Sequence, residues 1–513
     1  MNAEPRRRRS AGRGQARSES RIPQLPRRRV RYSTPPMRVL SDDHVEAIHD
    51  ASMTILETLG IEVMNAAALD LFAAAGATVD RASRTVRADR GLVMELVARV
   101  PSTCTLTPRN PDCRVHLGGD DVAFTLVAGP PNVHDMERGR RAGNLRDYRD
   151  LVRLAQHFNA ITMLGNQVCA PVELPANSRH LDTYLANLTL TDKSFHLSAI
   201  GSGRALDGIS MMAIARGLSL EAFARDPGVT TIISVNSPRR LDEAMADGLM
   251  TMAAHGQPVC VTPFTLMGAM SPVTLAGALA QQNAEALFGI ALTQLVRPGT
   301  PAIYGAFTSN VDMRSGAPAF GTPENTKANI ASGQLARRYN LPYRTTPGSA
   351  SNAADAQGAY ETMMALWGAL LGHANLVYHA AGWQEGGLTA SFEKLVIDVE
   401  MIQHMTEFLS PIAVDAGELA LDALGRVPTG GHFFGDAHTL ERYATAFYQP
   451  MLSNWQNHEA WLEAGGLDAT ARATKVWKKA LEEYEQPAMD PGTREALEAY
   501  VAKRKEEIGA GEP

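Results

Sequence analysis

The sequence predicts an α/β chain built as a (β/α)8 barrel of the TIM type, preceded by an α+β segment and followed by a helical extension. Three observations lead there. Eight short β-type runs recur between residues 122 and 380. Helix-type stretches rich in Ala, Leu, Gln and Met separate them, and strand, loop, helix, strand at this spacing is the repeat of a parallel sheet. Loops of small or polar residues follow the later runs, at 308–310, 348–352 and 382–387. In a parallel barrel such loops share the rim where the chemistry sits.

Residues 1–36 hold eleven arginines and two glutamates, a net of +9 against −6 for the whole chain. Rich in Arg, Pro and Ser and poor in apolar residues, they are expected to be a disordered basic tail. A basic arm can bind nucleic acid or an acidic partner. The remainder carries −15 and shows no aromatic–basic stripe, so a solvated tail is the better reading and no nucleic-acid role is expected. Residues 37–118 form the α+β segment. Ser41 is placed as a helix N-cap, Ile48, Met53, Leu56 and Leu59 follow at roughly helical spacing, and Gly60 closes the helix. A second helix is expected at 66–75 and strands at 85–87 and 104–107.

The barrel is assigned to 119–410. Its strands are expected at 122–127, 161–169, 194–200, 230–235, 258–264, 302–307, 341–346 and 376–380, with helices that include 145–157, 239–255, 275–295, 323–339 and 391–408. The competing arrangement is an open doubly wound sheet. It calls for a Gly-rich phosphate turn after the first strand, and Gly129-Pro130-Pro131-Asn132 is a poor one because proline donates no amide. Residues 411–513 are expected to be a helical extension, with helices at 440–447, 459–464, 471–484 and 494–508.

Composition bounds the function. The chain is 45% hydrophobic and 20% charged, as globular proteins are. Cys104, Cys113, Cys169 and Cys260 are scattered with no CxxC pair, which suits a reducing compartment better than a disulfide framework. No apolar run reaches the roughly 18–20 residues that span a bilayer, and the N-terminus lacks the apolar stretch of a secretory signal. A cytoplasmic enzyme that does not engage membranes is expected.

Schiff-base chemistry needs a lysine at a strand end, but Lys193 precedes its strand and Lys327 and Lys394 lie in helices. A metallohydrolase needs converging ligands. His134, Asp135, His196 and His379 are candidates, yet no two have ligand spacing, so no metal is expected. No dinucleotide fingerprint is present. The strand ends offer aromatic and amide side chains instead: Asn166, Gln167, Asn236, Phe264, Tyr304, Phe307, Asn310, Tyr378 and Trp383. Aromatics with few charges suit a cation that cannot donate hydrogen bonds, such as a quaternary ammonium. Trp383, in a Gly-rich loop, leads the substrate-binding candidates, joined by Phe307, Asn310, Tyr304 and Phe264. Barrel core is the competing role for these aromatics, and the favoured one for Phe264 and Tyr304. His379 at a strand end and Glu385 in the next loop are the catalytic candidates, against the alternatives of a satisfied core histidine and a solvated carboxylate. The Gly/aromatic loop at 430–438 is a candidate cover for the rim.

The stretches GAFTSNVDMRSGAPAFGTPE, GSASNAADAQGAYE, HAAGWQEGGLTASFEKLVID and GGHFFGDAHTLERY resemble the trimethylamine methyltransferase family, over about residues 39–487. The resemblance implies a (β/α)8 barrel that moves a methyl group from a methylated amine to the cobalt of a separate corrinoid protein. It also shows a departure. The archaeal trimethylamine enzymes carry pyrrolysine in the loop after the seventh strand, and read without gaps that place falls on Gly348. Trimethylamine is a tertiary amine, mostly protonated at neutral pH, and managing it is the role given to pyrrolysine. A quaternary ammonium departs as a neutral tertiary amine and needs no such help. Family members without pyrrolysine include enzymes for glycine betaine and related quaternary amines, so Gly348 joins the substrate-site candidates and shifts the expected substrate to a quaternary amine.

The resemblance further implies direct displacement by cobalt(I), with positioning of the N-methyl group supplying much of the rate. A betaine carboxylate would take a donor from Asn310, Arg344 or backbone amides, and His379 is the candidate contact for the incoming corrinoid. Corrinoid-binding modules show Asp-x-His-x-x-Gly; the runs starting at Asp42 and Asp436 both lack the glycine. No cofactor is therefore expected on this chain, and a corrinoid-binding protein is the expected partner. The alternatives are a trimethylamine-specific methyltransferase, a metal-dependent hydrolase barrel and a non-catalytic quaternary-amine binding protein. By analogy with related barrels, residues 411–513 offer surface for a homo-oligomer.

Overall fold

In the computed structural model, which describes residues 22–510, the short apolar runs pair into one closed parallel sheet. Its strands are β1 (Asp121–Leu126), β2 (Met163–Leu164), β3 (Ser194–Leu197), β4 (Thr230–Ile233), β5 (Val259–Val261), β6 (Ala302–Gly305), β7 (Tyr343–Thr345) and β8 (Leu376–Ala381). Each pairs with the next, and β8 returns to β1 with Leu376 opposite Ala123 and Val377 opposite Phe124. That closure excludes the open doubly wound sheet. The surrounding helices follow the strands one for one: α1 (Leu145–His157), α2 (Arg179–Leu190), α3 (Ser202–Arg216), α4 (Glu243–Ala254), α5 (Leu275–Val296), α6 (Pro323–Arg338), α7 (Ala356–Leu371) and α8 (Phe392–Phe408).

Two expected strands end early because the chain leaves the barrel to build the rim. After β5, Phe264–Met267 pairs with Phe307–Val311 in a separate three-stranded sheet, with Phe264 directly opposite Phe307. A second rim sheet joins Trp383–Gln384, Thr389–Ser391, Asn132–Asp135 and Gly139–Ala142.

The other end of the barrel is sealed. Side chains alternate along a strand, and the lowest inward set, Ala123, Met163, Cys260, Ile303 and Leu376, is buried against Leu106, Val115 and Leu117. Those three come from the hairpin Thr103–Leu106 and Val115–Gly118, which forms the floor. Beside the floor, the buried Lys193 donates to the carbonyls of Ala155, Phe158 and Ile161 at 2.6–2.9 Å, so its amine closes off α1 and takes no part at the rim. Ser41 caps the helix Asp42–Thr54 by accepting from the His44 amide at 3.2 Å.

The expected disordered tail needs correction over its described part. Val30–Arg31 pairs antiparallel with β1. The Tyr32 hydroxyl donates to the Ala374 carbonyl at 2.7 Å, and its ring stacks on His373 at 4.0 Å. Composition hid this, because a few residues (Ile22, Val30, Tyr32, and Arg29 paired with Asp121) anchor a segment that is otherwise polar. Residues 1–21 lie outside the described residues. At the other end, α9 (Ala469–Glu482) docks on α8 through Trp477 and Thr474, both donating to Glu393 Oε1 at 2.9 Å. The helix α10 (Pro491–Ala510) docks through Tyr500 and Arg504, which donate to Asp207 at 2.9 and 2.7 Å. Between α8 and α9, the chain displays Ile412, Phe434, Phe447 and Trp455 at 70–89% exposure. In the 430–438 loop the Phe434 ring points to solvent and is not packed over the rim among the described residues. No helix among the described residues is long and apolar enough to cross a membrane.

Leu117 is 1% exposed in the floor. Leu117→Ala should lower unfolding free energy by about 2–5 kcal/mol in urea titrations; a loss under about 1 kcal/mol would mean that the hairpin does not seal the barrel.

Candidate active site at the open rim

Above the floor the inward positions change character. The β3 residue His196, the β7 residue Arg344 and the β8 residue Tyr378 are all buried and share one neighbourhood. The His196 and Tyr378 rings meet edge-on at 4.6 Å, and the Arg344 guanidinium lies 4.8 Å from the Tyr378 ring centre. Gly305 of β6 lets Thr262 pack directly on its backbone: a Cβ there would come within 1.9 Å of Thr262 Oγ1.

His379 reaches the same interior by a break in the ladder. A regular strand would turn it away from the side that holds Tyr378. Instead it adopts φ +61°, and the β8–β1 register shifts between Val377 and Ala381. Such bulges re-aim side chains beside sites, and a non-glycine residue in this region carries strain. Its backbone N–H donates to Thr125 Oγ1 at 3.0 Å, and its Nδ1 accepts from the Ala128 amide at 3.1 Å. With Nδ1 accepting, the ring proton sits on Nε2. Burial, reinforced by the Arg344 charge and by the neighbouring His196 ring, holds the imidazole well below its usual pKa, so it is neutral.

An aromatic wall stands over these groups. Trp383 packs on His379 at 4.2 Å and meets Phe307 and Phe320 edge-on at 6.1 and 6.0 Å. Phe307 stacks on Phe320 at 5.4 Å and meets its strand neighbour Phe264 at a tilt, 4.6 Å between ring centres. Gly387 permits this placement. It sits at φ +97°, and a Cβ there would lie 2.3 Å from Trp383 Cζ2. Gly348 backs the wall from behind, where a Cβ would be 3.0 Å from Phe320 Cγ. At this glycine the space is given to the Phe320 ring.

The rim loops are tied together. Glu361 on α7 accepts from Ser349 Oγ, the Ala350 amide and the Ser351 amide at 2.8–3.0 Å. The Glu385 and Gly386 amides donate to the Ser351 and Ser349 carbonyls, and Asp398 accepts from the Gly382 amide at 2.8 Å. Rigid loops carry few unsatisfied groups, yet several polar atoms of the inner strands and rim loops stay unpaired. Both ring nitrogens of His196, Arg344 Nε, Thr346 Oγ1, Trp383 Nε1 and Gln384 Oε1 are buried without hydrogen-bond partners. Buried polar atoms are normally paired, so a concentration of orphans marks a place where a ligand completes the bonding.

Of the sequence candidates, His379, Trp383, Phe307 and Phe264 come together, with Gly348 behind Phe320. Three do not join them. Tyr304 faces the helix layer, where its hydroxyl donates to Asn283 Oδ1 at 2.9 Å; it is core, because the inward face of β6 belongs to Ile303 and Gly305. Asn310 accepts from Thr322 Oγ1 at 2.8 Å and so ties its strand to the N-cap of α6. Glu385 pairs with Arg140 through two bonds of 2.7 and 3.0 Å and accepts from Thr389. The Arg140 hydrogen bond keeps its carboxyl below the usual range, so it ties the rim as a carboxylate and has no proton to give at neutral pH. Sequence reading missed Phe320; its one signal was a bulky ring in the otherwise small-residue run 316–321. No group of three or more His, Cys, Asp or Glu side chains able to hold a metal occurs among the described residues.

The electrostatics are unusual for a cation site. Burial pushes the Arg344 guanidinium downward, and the ionisable groups acting on it are Cys260, Tyr378 and Tyr343, none a carboxylate. Arg344 also borders Phe307, at 5.5 Å from the ring centre. A second cation about 6–8 Å away would be repelled by roughly 2–3 kcal/mol at an effective dielectric near 20.

Comparison with known proteins extends this picture. A family model described as trimethylamine methyltransferase (MTTB) matches residues 6–509. The glycine betaine methyltransferase of Desulfitobacterium hafniense (strain Y51) is 34% identical over 476 residues, covering 93% of this chain and 98% of that protein. The trimethylamine methyltransferase MttB of D. hafniense (strain DSM 10664 / DCB-2) is 29% identical, with 91% and 94% covered. The proline betaine:corrinoid methyltransferase of Eubacterium limosum is 26% identical, with 90% and 97% covered.

Burial pushes the pKa of His196 down to about 3 from the usual 6.5. Between those values the unfolded chain binds a proton that the folded one does not, so stability falls as pH drops. The slope from this one group is about 1.4 kcal/mol per pH unit. Urea titrations from pH 6.5 to 4.5 should show that His196→Gln flattens the pH dependence by about this amount; equal slopes would place a charged or solvated imidazole at this position.

Proposed function

The chain belongs to the trimethylamine methyltransferase family, and on that premise we propose that it moves a methyl group from a quaternary amine, of the glycine betaine kind, to the corrinoid cobalt of a separate partner protein. In this reaction one N–CH3 bond breaks and one Co–CH3 bond forms. The C–N electron pair stays on nitrogen, which leaves as a neutral tertiary amine, and the reduced cobalt supplies the pair for the new bond. The chain's own part is to strip water from the ammonium, hold it, and aim one methyl group outward.

The observation that carries this reading is the wall of Trp383, Phe307 and Phe320 around the neutral His379 at the open end of a barrel with a sealed floor. Aromatic faces attract a desolvated cation without offering it a proton acceptor. Gly348 favours a quaternary over a tertiary amine. The place that the archaeal enzymes give to pyrrolysine here only lets Phe320 close the wall, and nothing at that position manages a lone pair. The sealed floor leaves the rim as the approach for the partner's corrinoid, and His379, with its Nε2–H unpartnered among the described residues, is the contact proposed for it. The exposed Ile412, Phe434, Phe447 and Trp455 between α8 and α9 support a homo-oligomer, because patches of this kind mark interaction surfaces.

The reading is tested by mixing the protein with chemically reduced cobalamin, or with a cognate corrinoid protein, and adding one amine at a time. Methylation of the corrinoid is expected with a quaternary amine and not with trimethylamine. Turnover of trimethylamine alone, or of no amine with either acceptor, overturns it. Trp383→Ala should raise the KM for the amine roughly 10- to 30-fold, the loss of about 2 kcal/mol of cation–π attraction, with a smaller change in kcat. His379→Ala should lower kcat at least 100-fold while amine binding persists; a near-normal rate removes His379 from the transfer site.

A further inference from the structure

Arg344 is a cation inside a site that is built to take a cation, and that conflict identifies the substrate's other end. The side chain is 1% exposed. Its Nη1 makes only a long bond, 3.3 Å, to the Ala306 carbonyl, and its Nε is buried with no acceptor. Among the described residues it has no carboxylate partner. A buried guanidinium normally sits in a pair, because an uncompensated charge in the interior is strongly unfavourable. Stacking on Tyr378 and Phe307 offsets part of that cost and leaves the hydrogen-bond donors free. Beside the same Tyr378 ring lies His196, whose two nitrogens are also orphaned; as a neutral ring it has one N–H to donate.

We propose that Arg344, helped by an N–H of His196, is the carboxylate anchor of the site, and that the substrate is a zwitterion bearing a quaternary ammonium and a carboxylate. The proposal rests on the methyl-transfer reading for what happens at the nitrogen, and stands apart from it for how the acid end is held. The carboxylate lies inside the barrel against Arg344 Nε, and the ammonium lies against Phe307, Phe320 and Trp383. Arg344 and Trp383 border the one Phe307 ring, so the spacer between the two charges is short. The geometry also selects. A bare cation such as choline or tetramethylammonium enters beside an unneutralised guanidinium and is repelled, whereas a betaine brings the missing counter-charge. Asn310 is the weaker donor, since its Nδ2 already donates to the Val311 carbonyl at 3.3 Å while its Oδ1 accepts from Thr322.

The test is a calorimetric titration that needs no corrinoid. The probes are glycine betaine, its carbon isostere 3,3-dimethylbutyrate (the same acid with no positive charge), choline and tetramethylammonium. Wild-type protein should bind glycine betaine roughly 100-fold more tightly than choline or tetramethylammonium, and should bind 3,3-dimethylbutyrate measurably. Arg344→Met, checked for folding by thermal melting, should lose both carboxylates by roughly 100-fold and gain affinity for choline. Arg344→Lys, which keeps the charge but not the fork, should fall between. Choline binding as tightly as glycine betaine to the wild type overturns the proposal, and does so without any variant. So does a folded Arg344→Met that binds glycine betaine within threefold of normal. Glycine betaine that binds through Arg344 but methylates no corrinoid overturns the methyl-transfer reading and leaves the anchor standing.

Discussion

Strand β8 closes the barrel on β1 with a break in its ladder at His379, and the site hangs on that break. Without the left-handed turn at His379, Tyr378 and His379 would face opposite sides of the sheet. With it, both rings stand in the interior, and the chain leaves the barrel at Gly382 aimed so that Trp383 packs on the imidazole. The strain is held by bonds on either side: Thr125 and Ala128 fix His379 from β1 and the loop beyond it, and Asp398 holds the Gly382 amide from α8. A strained conformation persists when its surroundings over-determine it, and here the surroundings are the closing strand pair itself.

The interior is graded from floor to rim. At the floor it is apolar and shut by a hairpin. In the middle it holds a guanidinium and histidines kept neutral by burial. At the rim it is aromatic. A methylated ammonium would gain from this order: it would shed water against ring faces, meet no carboxylate among the described residues that would hold it as an ion pair, and be left one direction, the open end, for its methyl group to be taken. Neutral histidines matter to the balance, since a protonated imidazole beside Arg344 would double the repulsion on any cation in the wall.

Two small sheets turn the rim into a fixed surface. One sets Phe264 opposite Phe307 by parallel register; the other holds Trp383 against Ala390. Glu361 and the Glu385–Arg140 pair stitch the loops between them. Positioning of this kind is what a displacement reaction asks of a protein, because a methyl group aimed in line needs little further chemistry from side chains.

The repeat of short apolar runs and helix-type stretches determined the eight strands and their helices, since local pattern and parallel pairing agree at every strand. The Gly-rich loop around Trp383 and the strand-end His379 were legible for the same reason: unusual residues at a place where barrels put their chemistry. Tertiary structure alone decided which face of each strand looks inward. Tyr304 and Arg344 sit in adjacent strands with similar sequence credentials, yet β6 turns its tyrosine out and β7 turns its arginine in, because register and closure set the parity. Phe320 carried little local signal and gained its role only when Gly348, far along the chain, left room for its ring. Residues 22–36 read as a tail by composition and became part of the barrel's base because a few contacts to β1 and Ala374 outweigh an average over polar neighbours. Local pattern reaches a few residues either side; partners hundreds of residues apart are brought together only by the fold.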